Sequence, residues 1–264
     1  MRPLEKLPKE IACRLHGILF DLDDTVLSHG VLERAAYDAL WNLHEAKLGL
    51  VAVTGRPSGW GEVIVRQWPI DGAVTENGAV LVLRDGLGVR LVEDCSASER
   101  EARTEKLREL VRVAKREVPE AELSDDAHMR RADITWDIGE RKKLSDASKK
   151  KLESLILEHG ARTTSSSVHM HATFDVADKA SGALRMLRVI RNEDEGSAIR
   201  TWAFIGDSGN DRACFAAFEN TFGVANVKEW IGALSIPPRW VAPAPMGRGF
   251  AEISRAILAA RLER

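Results

Sequence analysis

One stretch decides the fold of this chain, Gly17-Ile18-Leu19-Phe20-Asp21-Leu22-Asp23-Asp24-Thr25-Val26-Leu27. Its apolar run, residues 18–20, predicts a strand that is buried on both faces, as in a parallel sheet. Asp21 and Asp23 follow at the carboxyl end of that strand, which is where open α/β sheets bind their ligands. Two such carboxylates can share one divalent cation, while one acts as a nucleophile and the other as a general acid and base. An acidic turn that caps the next helix would explain one of these acids but not three in four residues, so we favour a functional site.

The composition bounds the class of protein. The chain has 264 residues, of which 44% are apolar and 30% are charged, and this is the balance of a globular protein with one large domain or two small ones. A net charge of -2 gives no bulk electrostatic reason to expect a nucleic acid or an anionic membrane as partner. The three scattered cysteines fit a reducing compartment, and residues 1–10 do not have the pattern of a secretory signal. We therefore expect a cytoplasmic protein that does not associate with membranes.

Two further predicted strands end in polar residues, as the first one does. Residues 50–53 predict a buried strand that leads into Thr54-Gly55-Arg56-Pro57-Ser58. Thr54 can offer its hydroxyl and N–H to a phosphoryl oxygen, and Gly55 allows a close approach of the backbone. Residues 202–205 predict a third buried strand, which ends in Gly206-Asp207-Ser208-Gly209-Asn210-Asp211. Asp207 would complete a cation site, and oxygen ligands without local Cys or His favour Mg²⁺ over Zn²⁺.

A lysine begins the predicted helix after residue 178. The apolar stripe Leu184, Leu187 and Ile190 predicts this helix, and Lys179 lies in its first turn. A lysine there opposes the helix dipole, which favours acids at that end. Lys179 is therefore a candidate for holding a bound phosphate, although an ordinary exposed lysine remains an alternative.

The middle of the chain predicts an inserted domain. Residues 131–138 and 165–174 alternate between polar and apolar side chains, and two amphipathic helices, 98–118 and 146–159, are interleaved with them. This pattern is typical of an antiparallel sheet with helices on one side. We predict a discontinuous core of residues 1–84 and 175–264, and an inserted α/β cap domain of residues 85–174.

The polar face of the inserted strands allows two interpretations. It carries Arg131, Asp133, His169 and His171, which either face water or roof an active site and contact the substrate. A metal bound by the two histidines is the weaker hypothesis, because no third ligand is evident nearby.

Taken in order, these motifs resemble those of the haloacid dehalogenase superfamily of phosphohydrolases. Asp21-x-Asp23-x-Thr25 resembles the first motif, Thr54 the second, Lys179 the third and Gly206-Asp207-x-x-Asn210-Asp211 the fourth. The insert between the second and third motifs resembles the subclass IIB with an α/β cap, which includes Cof-like, trehalose-phosphate, mannosyl-phosphoglycerate and sucrose-phosphate phosphatases and phosphomannomutase. The late segment Gly247-Arg248-Gly249-Phe250 is most similar to the sugar-phosphate phosphatases. The third motif departs from the usual Lys-Gly-x-Ala-Leu, because Lys179-Ala180-Ser181-Gly182-Ala183-Leu184 is one residue longer.

The resemblance implies a fold, a reaction and a set of site residues. The fold would be α/β, a Rossmann-like core with a parallel sheet and an inserted α+β cap. The reaction would be the Mg²⁺-dependent hydrolysis of a phosphate monoester of a sugar or a similar small metabolite, through an aspartyl-phosphate. Asp21 would be the nucleophile and Asp23 the general acid and base, while Asp211 would orient Lys179 or a water on the metal. The metal would be held by Asp21, the Asp23 carbonyl and Asp207. In the core, the residues that bind the substrate would be Thr54, Gly55, Lys179, Asn210 and Arg56. In the cap, the substrate contacts would be Arg131, His169 and His171.

Two alternatives remain open at this point. A phosphomutase of the same fold would need a cap that holds a second phosphate, for which the candidates are Arg130, Arg131, Arg141, Lys142 and Lys143. A non-catalytic sugar-phosphate binder would have no need of the nucleophile, and the presence of both Asp21 and Asp23 argues against it. The sequence predicts neither the particular substrate nor the oligomeric state.

Overall fold

The computed structural model describes residues 1–166 and 168–262. Ser167, within the predicted strand of residues 165–174, lies outside the described residues, as do Glu263 and Arg264 at the end of the predicted core range. Among the helices in the described part of the chain, none is both long enough and apolar enough to cross a membrane.

Strands and helices alternate along most of the chain. The strands are β1 (Arg2–Pro3), β2 (Gly17–Phe20), β3 (Leu27–Ser28), β4 (Val31–Leu32), β5 (Gly49–Val53), β6 (Gly72–Thr75), β7 (Val80–Asp85), β8 (Gly88–Glu93), β9 (Asp133–Asp137), β10 (Arg162–Ser165), β11 (His169–Thr173), β12 (Trp202–Gly206), β13 (Asn220–Gly223) and β14 (Trp240–Val241). The helices are α1 (Lys9–Arg14), α2 (Arg34–Glu45), α3 (Ser58–Gln67), α4 (Ala97–Glu117), α5 (Asp146–Glu158), α6 (Lys179–Arg191), α7 (Glu195–Thr201), α8 (Arg212–Ala217) and α9 (Met246–Leu262).

A nine-stranded sheet forms the centre of the molecule, with the order β1-β14-β13-β12-β2-β5-β6-β7-β8. The pairs from β1 to β6 are parallel, and β7 and β8 are antiparallel additions at one edge. All residues of β2, β5 and β12 are buried, since α2, α3 and α9 cover one face of the sheet and α6, α7 and α8 cover the other. The predicted α/β fold with a parallel-dominated core sheet is therefore confirmed.

A separate three-stranded antiparallel sheet has the order β10-β11-β9. Helices α4 and α5 pack on one of its faces, where Leu110 and Leu152 join Trp136 and Met170 in an apolar cluster. Ser96 begins α4 with a reciprocal capping box to Glu99, which satisfies free amide groups at the helix start. We call β9, β10 and β11 with α4 and α5 the cap layer.

The hairpin around residue 85, where the cap was predicted to begin, belongs to the large sheet. Strand β8 is antiparallel to β7, with Glu93 opposite Val80 at one end and Gly88 opposite Asp85 at the other. It therefore belongs to the large sheet. Gly86 has φ +57, and a glycine adopts this left-handed conformation readily, which lets the chain reverse tightly and add one more strand. The cap layer as defined above begins with α4, and the division into a core of residues 1–84 and 175–264 and a cap of residues 85–174 stays a prediction.

Candidate active site

The sheet order brings the predicted polar strand ends together. Strand β2 lies between β12 and β5, with Phe20 opposite both Ile205 and Ala52. The next residues along these strands therefore emerge side by side at one edge of the sheet. The Asp21 N–H donates to the Ile205 carbonyl at 2.9 Å, which continues the ladder by one residue. Asp21, Thr54 and Asp207 thus follow three adjacent strands, as the sequence indicates.

Lys179 lies at the centre of a buried charge cluster. Its Nζ donates to Asp21 Oδ1 and to Asp211 Oδ1, both at 2.7 Å. Asp178 caps the start of α6 by accepting from the Ser181 N–H, which fixes Lys179 as the first residue of the helix. Its side chain is only 1% exposed, so the alternative of an ordinary exposed lysine does not apply.

The cluster holds more negative charge than positive charge. Asp21, Asp207 and Asp211 are all buried, and each offers a carboxylate oxygen within 4.8 Å of the others. Burial raises the pKa of Asp21 to about 7 although the Lys179 ammonium lowers it, and burial together with Asp211 and Asp21 raises the pKa of Asp207 to about 9. When all three acids are ionised, they carry two more negative charges than the one ammonium balances, and this excess contributes with burial to the raised pKa values of Asp21 and Asp207. This all-oxygen donor set with excess negative charge fits a hard divalent cation such as Mg²⁺.

Neighbouring side chains fix the orientation of Asp207. Thr25 Oγ1 donates to Asp207 Oδ1 at 3.3 Å, and Asn226 Nδ2 donates to Asp207 Oδ2 at 2.8 Å. The Asp207 N–H donates to Asp211 Oδ2 at 2.9 Å, and a Cβ on Gly206 would lie 2.4 Å from that same oxygen, so only glycine fits before Asp207. Asn226 was not predicted from the sequence, yet it follows the end of a further strand, β13, and the pattern of polar residues after a buried strand could have identified it.

Asp23 lies in a different environment from Asp21, although the two are only two residues apart. Its side chain is 49% exposed, and Arg56 Nε donates to both of its oxygens at 3.0 Å. The Arg56 guanidinium also stacks over Trp60, with 4.2 Å to the ring centroid. The structure therefore places Arg56, a predicted substrate-binding residue, against the carboxylate of Asp23.

The loop after β5, residues 54–57, lies beside Asp21 and Asp23; we call it the Thr54 loop. Thr54 is fully buried, and its Oγ1 accepts from the Arg56 N–H at 3.1 Å. The Gly55 carbonyl accepts from Arg130 Nη1, which belongs to the segment before β9. Asn210 lies across the site in the short 3₁₀ turn after β12, where its Oδ1 accepts from Ser208 Oγ at 2.8 Å.

The predicted cap residues are paired with acids of the protein itself. His171 Nδ1 lies 2.9 Å from Asp133 Oδ2, and His169 Nε2 lies 2.8 Å from Glu140 Oε2. Arg131 Nε donates to Glu93 of β8 at 2.9 Å, away from the two histidines. Burial lowers the pKa of His171, more than the nearby Asp133 raises it. The structure thus joins His169 and His171 on one sheet face and separates Arg131 from them.

Comparison with known proteins gives a clear result for structure and none for sequence. No protein-family model matches the sequence, and no curated protein matches it significantly. Among solved structures, a protein of Thermoplasma acidophilum has a TM-score of 0.72 at 17% identity, over 92% of this chain and 98% of that one. A phosphatase of the haloalkanoate (HAD) enzyme superfamily from Bacteroides thetaiotaomicron has a TM-score of 0.64 at 17% identity, over 94% and 96%. This chain has the fold of the HAD superfamily.

Sugar phosphatases occur among the proteins with this HAD fold. The sucrose-phosphatase of Synechocystis has a TM-score of 0.65 at 15% identity, over 92% of this chain and 98% of that one. A HAD/COF-like hydrolase from Plasmodium vivax and a HAD subclass IIB sugar phosphatase also match. The predicted superfamily fold is confirmed.

Proposed function

We propose that the protein is a Mg²⁺-dependent phosphatase that hydrolyses a phosphate monoester of a sugar or a similar small metabolite in the cytoplasm. Asp21 attacks phosphorus in line, and the bond to the leaving oxygen breaks as an aspartyl-phosphate forms. Asp23 gives its proton to the leaving oxygen and then takes one from the water that hydrolyses the aspartyl-phosphate. The fold shared with HAD phosphatases supports this reaction class.

One observation carries the proposal, namely the different surroundings of Asp21 and Asp23. Asp21 is buried against Lys179, whereas Asp23 is half-exposed and held by Arg56. Two carboxylates in such different surroundings can take different roles in one reaction. The Lys179 contact keeps the Asp21 carboxylate in place for attack. The two-point contact from Arg56 orients Asp23, which would exchange one of these contacts for a proton from solvent before it protonates the leaving oxygen.

The remaining site residues bind the phosphoryl group and the cation. Thr54, Gly55, Lys179 and Asn210 would hold the phosphoryl oxygens, since positioning and charge neutralisation account for most of the catalysis in such transfers. Asp21, the Asp23 carbonyl and Asp207 would hold Mg²⁺, which supplies positive charge that offsets the repulsion between the nucleophile and the phosphate. Asp211 orients Lys179 through the contact at 2.7 Å.

The contacts of the cap layer favour a phosphatase over a phosphomutase. A mutase needs unpaired basic groups for a second phosphate, but most of the candidates have acidic partners. Arg130 bonds Asp133 and Asp126, and Arg131 bonds Glu93. Arg141 bonds Asp137 and Asp125, and Lys142 lies 3.8 Å from Glu122. A non-catalytic binder is disfavoured because it would not need the nucleophile.

A phosphate-release assay tests the proposal. We expect Mg²⁺-dependent release of phosphate from a panel of sugar phosphates, glycosyl phosphoglycerates and nucleotides, without isomerised product. Asp21→Asn should abolish release while the thermal unfolding transition remains, because the amide cannot form an acyl phosphate. Turnover near the wild-type rate in Asp21→Asn would contradict the nucleophile assignment, and an isomerised sugar phosphate would favour the mutase.

A further inference from the structure

Glu76 is a buried acid outside the catalytic cluster. It is only 3% exposed and lies in the turn between β6 and β7. Its φ of +51 is the first of three successive left-handed values, followed by +53 at Asn77 and +108 at Gly78. This conformation is unfavourable for residues other than glycine and persists only where surrounding contacts enforce it. A buried carboxylate on a strained turn therefore needs a reason in its contacts.

The carboxylate of Glu76 accepts hydrogen bonds from two parts of the molecule. From the core, the N–H of Ser58, the first residue of α3, donates to Oε1 at 3.0 Å. From the segment that leads into β9, the N–H groups of Arg131, Ala132 and Asp133 donate to it at 2.5 to 3.2 Å. Three successive amides that converge on one anion form a nest, which binds a carboxylate strongly.

The backbone of the same turn is bonded to the Thr54 loop. The Glu76 N–H donates to the Arg56 carbonyl at 3.0 Å, and the Asn77 N–H donates to the Thr54 carbonyl at 3.1 Å. The turn that carries Glu76 is therefore part of the wall that supports Thr54 and Arg56. A change in the position of this turn would move both residues.

The amides that Glu76 binds belong to the edge of the cap layer. Residues 131–133 lead into β9, and Asp133 contacts His171 on the neighbouring strand β11. The Glu76 carboxylate thus joins the Thr54 loop on one side to the polar face of the cap layer on the other. Arg130 makes a second connection between the same two parts, because its Nη1 donates to both Gly55 and Asp133.

We propose that Glu76 is a positioning residue that fastens the cap layer to the Thr54 loop by binding the amides of residues 131–133. The carboxylate sets the distance between the polar cap face and the residues that receive the phosphoryl group. The inference rests on the proposed function in one respect, namely that the Thr54 loop binds the phosphoryl group. The attachment of the cap layer to that loop follows from the hydrogen bonds alone.

Two variants remove the fastening from opposite ends. Glu76→Gln keeps the shape but has one acceptor oxygen and turns an NH₂ group toward donors. Ser58→Pro deletes the amide that donates to Glu76, together with the hydroxyl, which donates to the Met129 carbonyl at 3.3 Å. Proline is well tolerated at the first position of a helix. Ser58→Ala is its matched control, because it removes the hydroxyl and keeps the amide. Asp137→Asn is the control for Glu76→Gln, since Asp137 accepts three backbone N–H bonds that lie entirely within the cap layer.

Hydrogen–deuterium exchange of the protein without substrate tests the fastening independently of activity. Burial raises the pKa of Glu76 to about 7, so the exchange is measured above that pH, where the carboxylate is charged. In Glu76→Gln we expect the amides of residues 131–133 to exchange about ten- to a hundredfold faster, which corresponds to the loss of a hydrogen bond to a charged group. In Ser58→Pro we expect an increase of about two- to tenfold over Ser58→Ala. Asp137→Asn should leave these three amides at the wild-type rate.

The kinetic readout uses p-nitrophenyl phosphate with Mg²⁺. Glu76→Gln should lower kcat/KM about tenfold or more, whereas Asp137→Asn should not change it. If the amides of residues 131–133 exchange at the wild-type rate in Glu76→Gln, the inference is overturned. If Glu76→Gln does not fold, equal exchange rates of these amides in Ser58→Pro and Ser58→Ala overturn it. Wild-type protein without phosphatase activity would instead contradict the proposed function and leave the exchange result to decide on Glu76.

Discussion

Replacing Lys179 with methionine should be one of the most damaging single changes in this chain. The ammonium lies 2.7 Å from carboxylate oxygens of both Asp21 and Asp211, and all three side chains are nearly inaccessible to water. Methionine fills a similar volume but leaves three buried carboxylates without a cation. Breaking a buried ion pair by removing one partner costs about 3 to 5 kcal/mol. For a chain of this size, that corresponds to a fall in Tm of about 6 to 20 °C.

Thermal unfolding followed by circular dichroism, with and without Mg²⁺, would measure this change. We expect added Mg²⁺ to raise the Tm of Lys179→Met more than that of the wild type, because a cation then replaces the missing positive charge. Lys151→Met is a suitable control, since Lys151 is 56% exposed and its contact with Glu117 is a surface ion pair, worth about 0 to 1 kcal/mol. A loss of less than about 1 kcal/mol in Lys179→Met would refute the reasoning that Lys179 balances the buried carboxylates.

Further predictions address the cation, the acid and the cap. Chelation with EDTA should abolish phosphate release, and added Mg²⁺ should restore it; activity that survives chelation would contradict the metal site. Arg56→Ala should lower kcat by about a hundredfold, because Asp23, the proposed general acid and base, is then no longer held in place. An unchanged kcat in a phosphate-release assay would contradict this role of Arg56. His169→Ala should raise KM far more than it lowers Tm, and an unchanged KM would place this side chain outside the substrate site. Burial raises the pKa of Asp137, but hydrogen bonds from backbone amides lower it further, to below its ordinary value of 3.8. Asp137→Asn should therefore be less stable than the wild type above pH 3.8, and the difference in the free energy of unfolding should shrink as the pH falls below that value. A difference of unchanged size in acid would contradict this prediction.

The core of the site could be predicted because the sheet itself assembles it. Apolar runs before Asp21, Thr54 and Asp207 predict buried parallel strands, and the carboxyl ends of adjacent parallel strands meet at one edge. The short elements were harder to predict, since β8, β10 and α7 lack a long periodic pattern. Strand β8 was not predicted for that reason, although Gly86 allows the tight reversal that adds it to the core sheet.

Side-chain partners across long stretches of sequence could not be predicted. Asn77-Gly78 is typical of a hairpin, but nothing nearby in the sequence indicates that Glu76 meets amides 55 to 57 positions later. Arg56 was expected on the substrate, yet it lies against Asp23, 33 positions away. Which acid pairs with which base depends on the final packing of two layers, and composition does not contain that information.

The charge balance of the site argues that its acids serve chemistry and not stability. A buried ion pair contributes little to stability compared with apolar residues of the same volume. Here the three acids, when ionised, exceed the one charge of Lys179 by two. A phosphate monoester would bring about two further negative charges into the same space. Binding of the substrate without a cation would therefore be opposed by Asp21, Asp207 and Asp211 together. The proposed function accounts for the acids that follow β2 and β12, because a cation and a phosphate that enter together each offset a charge that would exclude the other.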